Sequence, residues 1–308
     1  MAEPKELKAD KKRQAVAAFT GAAYQAWQSI DAWLRLKSAD EVIYLEGVED
    51  FDRVGGEGPD TTVQVRHTTG GISLGSEKAH EALENFWELS EREAGRTVHM
   101  HYVTTSPIVR ERDKGFGDLA GLDAWRGART SADLARTVAA YLAGKFGPSS
   151  PIRQFLEHAP PEELQERLFR RFFWFTDQAD VDRVQRSVND RLSSILAVRG
   201  RSSMLATKVA PHLETTFWNT VRQRDSAKRC LTKGGLERVL EEALTTYLPV
   251  PVERAAELFG LAAPGTALHH LLRGKVPRVP VPLLPRTNLV NEIKQLLDER
   301  RAVLLTGS

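Results

Sequence analysis

Cysteine is the first thing this sequence lacks: Cys230 is the single one in 308 residues. One thiol builds neither a disulfide framework nor a Cys-rich zinc site, so the fold must rest on its apolar core. Long apolar runs are missing as well, and none approaches the ~20 residues that a membrane-crossing helix needs. The opening segment, MAEPKELKADKKRQ, is charged and has no apolar centre of the kind a secretory signal carries. Nor is one sign of charge in excess. Forty-three Lys and Arg stand against 41 Asp and Glu, a formal net charge of +2. A basic field over the whole molecule is thereby excluded, and any nucleic-acid contact must come from a local patch. These absences predict a cytoplasmic protein with no membrane partner.

What is present is 41% apolar residues in a chain long enough for two domains of ~100–200 residues each. Apolar positions from Phe19 to Leu34 recur at three- and four-residue steps, which predicts a helix from near Arg13 to Lys37. Gly21 inside it costs ~1 kcal/mol relative to Ala, so a close backbone approach is expected there. A second helix is predicted over Glu77–Arg92 behind Ser76, and an alternating strand over Thr97–Thr105. Residues 106–130 are rich in Gly and charge and read as a long loop. From Ser131 onward the periodicity is helical. The densest aromatic cluster, Phe169 and Phe172 to Phe175, sits at helical spacing that favours core or inter-domain packing, with a base-stacking platform as the alternative. His99 and His101 have the spacing of a zinc pair but no acidic or Cys partner nearby, and are expected to face solvent or phosphate. The basic stretch from Arg199 to Arg238 reads as a solvated helix face or a phosphate-contacting one.

The fold class expected is α+β: a core with a central mixed sheet, followed by a mainly α-helical region. Three segments are expected, residues 1–130 as the sheet domain, 131–275 as a helical domain, and 276–308 as a Pro-rich linker leading into a new domain. In that last segment a helix over Arg286–Arg301 and an apolar strand ending Leu305-Thr-Gly-Ser308 resemble the entry to a P-loop. No Lys follows, so an ATP site is expected only in a domain absent from this chain.

The stretch richest in chemistry is Glu41 to Thr68, which reads as strand, acidic bend, Gly-rich turn and strand. Gly55, Gly56, Gly58 and Pro59 reverse the chain. On the return strand Val63 and Val65 point one way and Thr62, Gln64 and Arg66 the other. A hairpin brings that second face beside Asp50 or Asp52. A carboxylate, an amide oxygen and a guanidinium converging at a sheet edge suit a hard metal ion and a phosphate.

Four segments, Gly21–Gln25, Glu49-Asp50-Phe51-Asp52, Gln64-Val65-Arg66 and the strand ending Val103-Thr104-Thr105, together resemble the PD-(D/E)xK restriction-endonuclease core. More narrowly they are similar to the double-stranded-DNA endonuclease domains found at the N-terminus of bacterial antiviral effectors and STAND NTPases. The loop residues Val109 and Glu111, and Trp125 beyond them, echo the same family. The resemblance implies Mg²⁺ or Mn²⁺ held by Asp52, Asp50 and Gln64, with Asp52, Gln64, Arg66 and Gln25 as catalytic residues. It implies hydrolysis of phosphodiesters in double-stranded DNA, and self-association through the NTPase domain. Arg66 stands where the family carries Lys. Arginine stays protonated, so it can stabilise a phosphorane but cannot take a proton. The alternative is a catalytically degenerate module of the same fold, serving protein interaction or oligomer assembly.

Overall fold

Alternation of apolar and polar residues at a period of two, interrupted by segments of helical period, produces a mixed sheet with helices on both faces. The computed structural model describes residues 15–113 and 115–244, together with the backbone of 247–248 and 276–277. The chain divides into two units, Met1–Leu244 and Thr245–Ser308. In the second unit Tyr247–Leu248 pairs antiparallel with Val276–Pro277. The linker, helix and terminal strand expected over 278–308 lie outside the described residues.

In the first unit, α1 (Val16–Leu34) leads into β1 (Val42–Leu45), β2 (Phe51–Val54) and β3 (Asp60–Arg66). Then come α2 (Glu77–Arg92), β4 (Val98–Thr104), α3 (Gly121–Ala128), α4 (Ala132–Ala143), α5 (Pro151–His158) and α6 (Pro161–Leu164). A π-type turn over Gln165–Phe169 extends α6 and precedes β5 (Phe172–Phe175). The unit closes with α7 (Val181–Val198), α8 (Ala206–Val221), β6 (Cys230–Thr232) and α9 (Lys233–Leu244). The six strands form one sheet in the order β5-β4-β3-β2-β1-β6. β3, β4 and β5 run parallel, and the remaining neighbours are antiparallel. The α+β class is therefore the one expected, and the sheet draws β5 and β6 from residues beyond 130.

Each face of the sheet carries its own core. On one, Ile43, Leu45, Phe51, Val63, Val65 and Leu231 are buried under α1, α7, α8 and α9. On the other, Met100, Tyr102, Phe172 and Trp174 are buried with residues of α2 to α5. β3 is enclosed on both sides: Thr62 and Gln64 are buried along with Val63 and Val65. Apolar burial of this extent is worth roughly 25 cal/mol per Å² and supplies the main drive to fold.

Three local expectations are corrected. Phe172–Phe175 is a strand and not the end of a helix. The preceding helix stops at its π-type turn, and the four aromatic residues then alternate between faces beside β4. The segment 106–130 contains α3. An added Cβ at Gly21 would meet nothing within 4 Å, so no close approach explains that glycine.

Candidate functional site

β2 and β3 pair so that Asp52 lies opposite Thr62, and β1 and β2 so that it lies opposite Tyr44. Residues directly opposite share a face, so Asp52, Thr62, Gln64 and Arg66 all look to the same side of the sheet. The expected convergence of the β2 acid with Gln64 and Arg66 on one face is thus what the backbone provides.

The side chains settle what the acids do. Asp52 Oδ1 accepts a hydrogen bond from the Thr62 hydroxyl at 2.6 Å, and Oδ2 accepts one from the Val48 amide at 2.8 Å. Gly47 fits beneath it: a Cβ there would lie 2.0 Å from Asp52 Oδ2, so only glycine lets the carboxylate reach the bend. Asp50 Oδ2 accepts from the Val65 amide at 2.5 Å and from the Arg66 guanidinium at 3.4 Å. Glu46, in the left-handed region at φ 49°, donates its amide to the Asp50 carbonyl and closes the bend between β1 and β2. Gln25, reaching over from α1, donates to Glu46 Oε1 at 2.6 Å and lies 3.5 Å from the Asp50 carbonyl. It thus touches the Glu46 carboxylate and the backbone of the bend, and not the carboxylates of Asp50 or Asp52. Gln64 is 3% exposed and its Oε1 is buried without a donor among the described residues.

Burial pushes the carboxyls of Asp52, Asp50 and Glu49 above their ordinary range, against the lowering effect of their hydrogen bonds. Three neighbouring acids whose charged forms burial disfavours mark this bend as the candidate functional site on physical grounds.

A divalent ion would suit the chemistry of the donor set, since all the donors are oxygens and Gln64 Oε1 is a buried acceptor without a partner. The geometry does not match it. Among the described residues no group of three His, Cys, Asp or Glu side chains converges closely enough to hold a metal ion. Asp52 has both oxygens engaged, and Asp50 has one oxygen shared between an amide and a guanidinium. The residues present do not make up a magnesium or manganese site.

No protein-family model and no curated protein matches the chain. Among solved structures it is similar to the Cap4 SAVED/CARF-domain containing receptor of Acinetobacter baumannii with the cyclic trinucleotide 3'3'3'-cAAA. The identity is 13% and the TM-score 0.44, over 73% of this chain and 45% of that one. It is also similar to the Moraxella osloensis Cap4 SAVED/CARF-domain containing receptor, at 12% identity and TM-score 0.45, over 75% of this chain and 48% of that one. The chain thus spans a little under half the length of these structures. A likeness of that degree does not carry a ligand across.

The resemblance to the PD-(D/E)xK endonucleases is corrected at this point. The structures found are described as receptors, one of them with a cyclic trinucleotide, and not as nucleases acting on double-stranded DNA. The reading of the chain as a metal-dependent DNA endonuclease, and of double-stranded DNA as its partner, falls with it. So does self-association through an NTPase domain. Arg66 is consistent with the correction: its guanidinium is tied to Asp50 and to the Val65 carbonyl.

Two residues had more to do than their patterns showed. Thr62 was one alternating polar position among several, and it proves to be the donor that fixes Asp52. Glu111 is buried, and its two oxygens accept from the Leu74 amide at 2.9 Å and from the Gly121 amide, at the start of α3, at 2.7 Å. An acid in a Gly-rich loop ahead of a helix is the sequence signal for such a cap, but Asp113 and Asp118 share that loop, so only the structure singles out Glu111. Among the described residues no helix is long and apolar enough to cross a membrane.

Proposed function

We propose that the unit Met1–Leu244 is a non-catalytic module for protein interaction or assembly, in the bacterial antiviral setting expected from the sequence. In this reading Asp50, Asp52, Gln64, Arg66 and Gln25 are fastenings that fix the bend between β1 and β2 against β3. The observation that carries it is the engagement of the Asp50 and Asp52 carboxylates by backbone amides, a hydroxyl and a guanidinium of the same sheet. Acids so occupied hold a loop in shape. Large apolar side chains left at the surface support the interaction half of the reading: Val16 and Phe19, one turn apart on α1, are 64% and 74% exposed.

The test combines two measurements on the full chain. Plasmid incubated with Mg²⁺ or Mn²⁺ is expected to stay intact, and neither ion is expected to raise the thermal midpoint as a specific ligand would. A rise in midpoint with Mg²⁺ that disappears in Asp52→Asn would overturn the non-catalytic reading. For assembly, sedimentation velocity across a concentration series is expected to show mass increasing, and Phe19→Ser to abolish the increase. A monomer at every concentration, with no added partner bound, would leave no interaction to explain.

A further inference from the structure

The helices over the β1–β2 side of the sheet do not reach its far edge. Following the strand register across that face, Leu45, Phe51 and Val63 are opposite one another and buried, and the row continues into His101 and Phe173. Those last two are only half-buried and belong to neither buried core. With His99 and Phe175 they form a contiguous file of rings. Centroids lie 5.3 Å apart for His99 and Phe173, 5.2 Å for Phe173 and His101, and 5.0 Å for His101 and Phe175. Phe173 and Phe175 are near-parallel, at 13°, and Phe175 is 38% exposed.

The charges nearest this file are positive, with Arg171 also paired to Glu166 at 3.9 Å and Arg53 to Glu41. Burial first, and then the positive charges of Arg171 and Arg129, lower the His99 pKa. Burial also lowers that of His101, to about 4, with His99 and Arg53 adding to the effect. Both imidazoles are therefore neutral aromatic rings at neutral pH. The Arg129 guanidinium lies over the Phe173 ring, 4.3 Å from its centre, and has no carboxylate partner among the described residues. A base therefore reaches that face only with Arg129 moved aside toward a phosphate.

We infer that this open face of β4 and β5 binds single-stranded nucleic acid, with bases stacking on Phe175, Phe173 and the two histidines and Arg129 and Arg171 meeting the phosphates. Rings in file on a sheet present π-faces to successive bases whatever their identity, and flanking cations follow the backbone. A duplex keeps its base faces inside the stack and cannot use such a surface. The inference does not depend on the proposed interaction role, since these residues lie at the opposite edge of the sheet from β1.

Fluorescence anisotropy of a labelled single-stranded oligo-dA, titrated with the full chain at low salt, tests it. The single strand is expected to bind, and its duplex with oligo-dT to bind at least about tenfold more weakly. Phe175→Ala is expected to weaken single-strand binding roughly 5- to 100-fold, the range for loss of one base-stacking ring. Because Phe175 lies at the sheet edge and is 38% exposed, its removal should lower the melting midpoint by only a few degrees and leave a single cooperative transition. Arg129→Gln is expected to lower the slope of log affinity against log salt by about 0.7, one phosphate contact on a single strand. No binding at low salt would overturn the inference, as would equal affinity for the duplex. So would a cooperatively melting Phe175→Ala that binds as well as the parent.

Discussion

Replacing Asp52 in two ways separates a carboxylate that serves the backbone from one that serves a ligand. Alanine removes both acceptors. The Val48 amide is at an exposed position, so water can replace the aspartate there at a cost of about 0.5 kcal/mol. The Thr62 side chain is 2% exposed and finds no such substitute, and its orphaned hydroxyl costs about 1–3 kcal/mol. Asp52→Ala should therefore lose about 1.5–3.5 kcal/mol, or roughly 3–14 °C in thermal midpoint for a unit of this size. Asparagine keeps the geometry. Its Oδ1 can accept from Val48, while the Thr62 hydroxyl turns from donor to acceptor against the new amide. It also removes a charge that burial disfavours. Asp52→Asn should thus lie within about 1 kcal/mol of the parent, on the stabilising side at neutral pH. The raised pKa fixes the pH dependence. In the window above 3.8 the folded state keeps a proton that the unfolded state has released, so parental stability falls as pH rises through it. The advantage of Asp52→Asn should be largest at neutral pH and shrink as pH falls toward 4. Calorimetric melts of parent, Ala and Asn proteins at pH 7.5 and 4.5 measure all of this. If Asn proved as damaging as Ala at neutral pH, the negative charge itself would be in use, and a bound cation would have to be admitted.

Four further outcomes follow from the same contacts. Gly47→Ala should destabilise by about 1–3 kcal/mol, because the new Cβ collides with Asp52 Oδ2, and the double change Gly47→Ala with Asp52→Ala should be less than additive by denaturant melts. Glu111→Ala should cost about 2–4 kcal/mol by leaving the Leu74 and Gly121 amides without an acceptor, whereas Glu111→Gln should recover about half of that in the same assay. Arg66→Lys should shift the midpoint by less than about 1 kcal/mol, since Arg66 is 40% exposed and its pair with Asp50 spans 3.4 Å, and no DNA cleavage should appear with it. His101, with its pKa lowered to about 4, makes the unfolded chain the better proton acceptor between about pH 4 and 6.5; stability through this residue is lost as pH falls across that window, and His101→Phe should flatten the acid limb.

How far the sequence could be read depended on whether local pattern or distant packing decided each element. The 41–68 segment announced itself: a period of two in Val63 and Val65 against Gln64 and Arg66, with glycines and a proline to reverse the chain, leaves little freedom once β2 and β3 must pair. Asp180 stands before an apolar-periodic run, and its side chain accepts from the Arg183 amide at the start of α7. Ser131 caps α4 by the same means. The Phe172–Phe175 strand was hidden because Leu164, Leu168 and Phe172 also fit a helical step. What breaks that helix is the π-type turn and the open flank of β4, neither of which is written in the spacing. β6 was hidden for a similar reason. Three residues are too few to show a period, and their strand character comes from pairing with β1 almost two hundred positions earlier.

The acidic bend shows why a correct placement can still yield the wrong chemistry. Sequence could say that an acid on β2, Gln64 and Arg66 share a face, and they do. It could not say where each carboxylate's hydrogen bonds go, because the Val48 and Val65 amides, which decide the matter, belong to the backbone and leave no mark in residue type. An acid with free oxygens beside a buried amide oxygen is a cation site. The same acid accepting a hydroxyl and a main-chain amide is a clasp, and its charge is a cost the fold carries. Gln64 Oε1 is a fully buried acceptor at the bend that neither description satisfies, since it has no donor among the described residues. A change that supplies none and removes the amide, Gln64→Leu, should therefore be neutral or stabilising by up to about 1 kcal/mol if the bend is only a clasp. A loss of more than that on melting would show that something in solution donates to, or coordinates, that oxygen, and would return the bend to the list of binding sites.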